Sequence, residues 1–146
     1  METGELRNRL CYWYSAKKSE EFITMRILYA ASEARPFAAS GGLADVAGSL
    51  PKALCAAGEE ACVVMPYYVN SFKPDQKEKI NYITNFTVPV GWRSQYCGLF
   101  SQQVDGVTYF FIDNEFYFKR DNGLYGYYDD AERYVFFSRA VLEMLK

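Results

Sequence analysis

Apolar residues run almost without interruption through Met25-Arg26-Ile27-Leu28-Tyr29-Ala30-Ala31, which predicts a buried parallel strand over residues 25–31. After a gap, apolar side chains recur at Leu43, Val46, Ala47, Leu50 and Leu54. That helical period predicts a helix over residues 43–57, with Gly58 suited to close it. Pro51 lies inside the span and predicts a bend or an early break. Ala61-Cys62-Val63-Val64-Met65 predicts the next strand, stopped by Pro66. Strand, helix and strand make a βαβ unit, which is right-handed by rule.

Beyond Pro66 the pattern changes. Residues 67–79 are polar and loop-like. Ile80, Tyr82, Thr84, Phe86 and Val88 then alternate with Asn81, Asn85 and Thr87, which predicts a period-two strand. Residues 95–104 form a second extended segment, and Asp105-Gly106 leads straight into Val107-Thr108-Tyr109-Phe110-Phe111-Ile112. Asp-Gly between apolar strands predicts a hairpin. This middle region is expected as an antiparallel or mixed β-ribbon attached to the parallel core. The last element starts near Asp129-Asp130, with Glu132 at capping-box spacing from Asp129. Tyr134, Phe137, Ser138, Val141 and Leu145 share one helical face, with Glu132, Arg139 and Glu143 on the wetter side. No Gly, Pro or polar stop precedes Lys146, so the chain is expected to be cut within that helix. The fold class is α/β.

The chain of 146 residues is half hydrophobic, 18% aromatic and 23% charged, enough for one domain with a real core and unlike a disordered segment. A net charge of -2 excludes a general attraction to nucleic acid, although local basic groups can still bind an anion. No apolar run has the length of a membrane span. Residues 1–24 carry Arg7, Arg9, Lys17, Lys18, Glu20 and Glu21 and lack the apolar centre of a signal peptide. They are expected to be a dispensable N-terminal extension or an upstream start, the alternative being a regulatory tail. Cys11, Cys55, Cys62 and Cys97 show neither metal-ligand nor redox spacing. They are expected as reduced thiols in apolar positions, which points to the cytoplasm. The absence of histidine removes Ser/His and Cys/His catalytic pairs, and no metal site is suggested.

Ser40-Gly41-Gly42-Leu43-Ala44-Asp45-Val46 joins the first strand to the first helix. Glycines let backbone approach a ligand, and the first N–H groups of a helix lack partners and favour negative charge. Two readings stand: a phosphate-binding turn, or only a tight strand-to-helix connection. In open parallel sheets, ligands lie beyond the carboxyl ends of the strands, where residues 32–42 fall. Asp45 likewise has two readings, a substrate contact or a favourable charge in the first helical turn.

Ser32-Glu33-Ala34-Arg35-Pro36-Phe37 and Gly41-Gly42-Leu43-Ala44-Asp45-Val46-Ala47-Gly48-Ser49-Leu50-Pro51-Lys52-Ala53-Leu54 resemble the start of bacterial glycogen synthases and plant starch synthases. Phe111-Ile112-Asp113-Asn114-Glu115 and Leu124-Tyr125-Gly126-Tyr127-Tyr128-Asp129-Asp130-Ala131-Glu132-Arg133-Tyr134 are a second anchor. The resemblance covers residues 25–146. It implies an incomplete Rossmann-like N-terminal domain of a GT-B glycosyltransferase, with the second nucleotide-binding domain missing. It also implies retaining transfer of glucose from ADP-glucose to the non-reducing end of an α-1,4-glucan, with no cofactor beyond the donor and no metal. The segment alone is expected to be inactive. The alternatives are another GT-B enzyme with a different nucleotide sugar, and a non-catalytic glucan-binding or interaction module.

By the same resemblance, Ser40, Gly41 and Gly42 face the donor diphosphate, Asp45 the sugar side of the cleft, and Tyr125 a loop near the active site. Tyr125 either stacks on a sugar or packs its loop to the core; Tyr127 and Tyr128 share that loop. One position departs from the family. Ala39 stands where the family has a lysine, so that phosphate contact is lost unless Arg35 replaces it or Ser40 offers a neutral hydrogen bond. Arg35 pointing into solvent is the alternative.

Overall fold

The computed structural model describes residues 24–146; the expectations for residues 1–23 and for Cys11 lie outside the described residues. The elements are β1 (Arg26–Ala30), α1 (Gly42–Ala56), β2 (Glu60–Pro66), α2 (Pro74–Lys77), β3 (Asn81–Val90), β4 (Arg93–Val104), β5 (Val107–Asp113), α3 (Glu115–Phe118) and α4 (Asp130–Glu143). They build one five-stranded sheet in the order β1-β2-β5-β4-β3. β1 pairs parallel with β2 at Leu28↔Cys62, and β2 pairs parallel with β5 at Val64↔Phe110. β4 runs antiparallel to both β5 and β3. The antiparallel ribbon is therefore attached to the parallel core, as expected. It extends the same sheet, with β5 as the joint between the parallel and antiparallel halves.

The Asp105-Gly106 hairpin forms as expected, with φ of 50° and 82° at its two turn residues. Both angles positive is the turn that matches strand twist. Gly58 follows α1 with φ 93°, as a helix-closing glycine does. Pro51 does not break α1, which continues to Ala56.

Four local expectations are corrected. β1 is half-buried rather than buried, because it stands at the sheet edge with β2 as its one strand neighbour. In β3, the register shifts between Tyr82 and Thr84, so Ile83 turns inward and Tyr82 outward; one extra residue reverses the alternation. Residues 67–79 are not a plain polar loop: they hold α2 and bury Tyr68, Phe72 and Gln76. The capping box at α4 does not form, since Asp129 pairs with Arg120 (2.7 Å) and Glu132 accepts from Arg93 and from the Tyr117 hydroxyl.

Helix α1 buries a different face from the one its largest apolar residues suggest, and α4 buries only part of the expected stripe. On α1 the inward residues are Ala44, Ala47, Gly48 and Pro51, while Leu43, Val46 and Leu50 are exposed. Small residues win because this helix lies very close to the chain beneath it. A Cβ built on Gly48 would sit 2.8 Å from the Arg35 carbonyl oxygen. On α4 the buried residues are Arg133, Phe136, Phe137, Ala140 and Val141; Phe137 and Val141 of the expected stripe are buried, Tyr134 is half-buried, and Ser138 and Leu145 are exposed. The core joins the sheet to the loop after β1: Phe37 packs edge-on against Tyr109 and Phe111 and stacks with Phe72. Cys62 and Cys97 are buried there as free thiols, pushed up to about 12 by burial first, then by Cys55 and Asp113 respectively. Among the described residues, no helix is long and apolar enough to cross a membrane.

Candidate functional site

Three loops leave the carboxyl ends of the parallel strands: residues 31–41 after β1, 67–73 after β2, and 119–129 beyond β5 and α3. Tyrosine hydroxyls tie them together. Tyr68 donates to the Ser32 carbonyl at 2.8 Å. The Tyr134 hydroxyl, on α4, has Tyr68 Oη at 2.9 Å and the Leu124 carbonyl at 3.1 Å within reach. Ser32 Oγ lies 2.8 Å from Tyr125 Oη. Burial pushes the Tyr134 phenol up to about 12 and the Tyr68 phenol higher still, so both stay neutral donors near neutral pH.

At the glycine turn, the N–H of Ser40 is already taken: it donates to the Glu33 carboxylate at 2.6 Å. Glu33 is 2% exposed, so this bond fixes the turn from below. Gly41 caps α1 with extended backbone (φ -167°) and no side-chain cap. The N–H groups of Gly41, Gly42 and Leu43 have no hydrogen-bond partner among the described residues. A Cβ added at Gly41 or Gly42 would meet nothing within 4 Å. Neither strain nor protein crowding explains these glycines; the space beside them is open.

Asp45 lies in the first turn of α1, and its Oδ1 accepts from Arg35 Nε at 2.5 Å. Both of these expected residues are exposed, and the structure brings them together. Ala39 is exposed beside the turn and offers no charge. Tyr125 is 38% exposed, at the mouth of the same face. Burial raises its phenol, the Glu33 charge adds to the rise, and the Ser32 hydrogen bond opposes it. Its loop partners separate: the Tyr127 ring lies 4.9 Å from the Arg133 guanidinium and 5.1 Å from that of Arg120, while Tyr128 stands almost free in solvent.

This is an open face with three unpaired N–H groups at a helix start, one carboxylate, one guanidinium and one half-exposed tyrosine. It can take an anion at the turn and a polyhydroxyl group beside it. The family model described as starch synthase catalytic domain matches residues 26–146. The chain belongs to this family. Within the starch synthase catalytic domain family, it is 60% identical over 119 residues to a glycogen synthase of Caldicellulosiruptor bescii, covering 82% of this chain and 24% of that protein. A glycogen synthase of Clostridium botulinum is 54% identical over 122 residues, 84% of this chain and 25% of its own length. The catalytic domain of starch synthase IV from Arabidopsis thaliana, solved bound to ADP and acarbose, superposes with a TM-score of 0.74 at 28% identity. That match covers 84% of this chain and 25% of the Arabidopsis one. The chain thus spans about a quarter of the length of these starch and glycogen synthases.

Residue reasoning missed Glu33, Tyr68, Asp130 and Arg133. A signal for Arg133 existed, since it stands in helical phase with Phe136, Phe137, Ala140 and Met144. Nothing in the sequence pattern marks Glu33 as buried.

Proposed function

We propose that this chain is the donor-facing first part of a retaining glucosyltransferase that extends an α-1,4-glucan at its non-reducing end, with ADP-glucose as donor. The observation that carries this reading is the open glycine turn with unpaired N–H groups at the start of α1, within a matched starch synthase catalytic domain. The ADP and acarbose bound to the Arabidopsis relative support a nucleotide and a glucan-like ligand here.

In this reading the chain is the first part of the Rossmann-like N-terminal domain of a GT-B enzyme, acting in the cytoplasm, and the rest of that domain and a second nucleotide-binding domain complete the cleft. Breaking the sugar–phosphate bond places negative charge on the leaving diphosphate. The N–H groups of Gly41 and Gly42 and the α1 dipole stabilise that charge without reorganising, as preorganised donors do. Ser40 contributes its hydroxyl, because its N–H is held by Glu33. Arg35 stands in for the cation that Ala39 lacks. Asp45 and Tyr125 face the sugar. The donor is a substrate, and no separate cofactor is proposed.

The test is an exchange. Residues 26–146 replace the matching segment of the Caldicellulosiruptor bescii enzyme, and glucose incorporation into glycogen is measured with ADP-glucose and with UDP-glucose. Incorporation from ADP-glucose is expected, and none from the 146-residue chain alone. A folded exchange protein without turnover, or turnover by the chain alone, overturns the reading.

A further inference from the structure

The loop that carries Tyr125 is held on both sides of that residue by one ion pair on α4. Arg133 is fully buried at 0% exposure. Its Nη1 donates to the carbonyl of Leu124, the residue before Tyr125, at 3.2 Å, and to Asp130 Oδ1 at 2.5 Å. The other oxygen of that carboxylate, Oδ2, accepts from the N–H of Gly126, the residue after Tyr125, at 2.7 Å. Arg133 Nε donates to the Tyr117 carbonyl at 2.7 Å, which anchors the guanidinium to α3. The rings of Phe118, Tyr127 and Tyr134 lie around it, 5.7, 4.9 and 5.4 Å from the guanidinium carbon. Nη2 is buried and finds no acceptor among the described residues, so of the two terminal nitrogens Nη1 alone makes the contacts that hold the loop. Gly126, at φ 94°, makes the bend immediately after Tyr125 in a conformation other residues resist.

Arg133 is buried while the Asp130 side chain is 30% exposed, and desolvation of the guanidinium offsets much of the attraction, so the pair is a weak source of net stability. What it supplies is a fixed position for two peptide groups. Desolvation works to raise the Asp130 carboxyl, but the Gly126 N–H, then Arg133, hold it below its ordinary value. We propose that the Arg133–Asp130 pair is a positioning device that presents the Tyr125 ring to the sugar at the mouth of the cleft. The proposal rests on the glucosyltransferase reading of this face. Neither residue touches substrate; both act through Tyr125.

The experiment uses the full-length exchange enzyme carrying residues 26–146, with Tyr125→Ala, Asp130→Ala, Asp130→Asn, and each Asp130 variant combined with Tyr125→Ala. Asp130→Ala removes the acceptor for Gly126 and the partner of Arg133. It is expected to lower kcat/KM for ADP-glucose about ten- to hundredfold, the weight of a charge-assisted hydrogen bond. Asp130→Asn keeps an acceptor oxygen and is expected to recover most of that loss. In the Tyr125→Ala background, Asp130→Ala is expected to cost no more than about twofold, because its route to the sugar is already gone. Thermal unfolding of every variant separates folding from positioning. Independent, multiplying effects of the two substitutions overturn the proposal, as does an Asp130→Ala enzyme that folds and keeps normal kcat/KM. In both cases the active parent leaves the functional reading standing. A folded parent without turnover overturns both.

Discussion

Arg35 Nε and Asp45 Oδ1 lie 2.5 Å apart, joining the loop after β1 to the first turn of α1. Their side chains are 61% and 62% exposed, so solvent screens the pair and its contribution to folding is at most about 1 kcal/mol. On the glucosyltransferase reading proposed above, its weight lies in donor binding instead. The pair ties the loop after β1, which also carries Ala39, to the helix that begins at the glycine turn. In the exchange enzyme, Arg35→Ala is expected to raise KM for ADP-glucose about tenfold, while the unfolding midpoint stays close to the parent's. Adding Ala39→Lys to that variant should restore binding. Unchanged KM in both would remove this loop from the donor contacts.

Asp45→Asn keeps the size of the side chain and removes its charge. If Asp45 orients a sugar hydroxyl, kcat falls about ten- to hundredfold. Losing the charge at the helix start costs only about 0.3–1 kcal/mol of stability. Steady-state kinetics and urea unfolding of the same variant are the check. A destabilised enzyme with normal turnover would make Asp45 a helix-start charge and nothing more.

Gly48→Ala adds a methyl group 2.8 Å from the Arg35 carbonyl oxygen and 3.0 Å from Arg35 Cβ. Alanine favours the helix by about 0.5–1 kcal/mol, but forced overlap with backbone costs about 1–3 kcal/mol. Net destabilisation is expected in denaturant titration. Because the atoms that must yield belong to Arg35, KM for the donor should rise with it.

Alkali should weaken the fold through the tyrosine network. Tyr134 has its phenol raised from 10.0 to about 12 in the folded chain, by burial first. Below pH 10 both states keep the proton and the stabilisation is whole. As pH rises from about 10 to about 12, the unfolded chain ionises first and stability falls. Tyr134→Phe is expected to lose about 1 kcal/mol at neutral pH, from the missing hydrogen bond, and to flatten the alkaline decline. Thermal unfolding between pH 8 and pH 12 measures both. An equally steep decline in the variant would place the sensitivity elsewhere.

The strands and the hairpin were legible because their signals are local: continuous apolar runs for β1 and β2, and Asp105-Gly106 for the turn. The faces of α1 and α4 were not. Hydrophobicity points to Leu43, Val46 and Leu50, but a close approach between helix and loop selects alanine and glycine instead. On α4 Arg133 stands in helical phase with Phe136 and Ala140, but the Leu124 carbonyl that accepts from it comes from the loop before Tyr125, which no helical period announces. The candidate site divides the same way. Gly41, Gly42, Asp45 and Tyr125 were legible from motifs, whereas Glu33 turns back on Ser40 within its own loop and Tyr68 becomes apparent only when the loops after β1 and β2 meet.

The position of β5 between a parallel and an antiparallel neighbour sets an order of events in folding. β3, β4 and β5 follow one another through short turns, so their pairing closes only small loops. β2 must reach β5 across everything between Pro66 and Val107, and β1 can join the sheet only through β2. Loop closure over longer separations is slower and costs more entropy. The antiparallel meander is therefore expected to pair before the parallel half closes onto it. The glycine turn and α1 lie between β1 and β2, in the half of the sheet whose pairings span the longer separations.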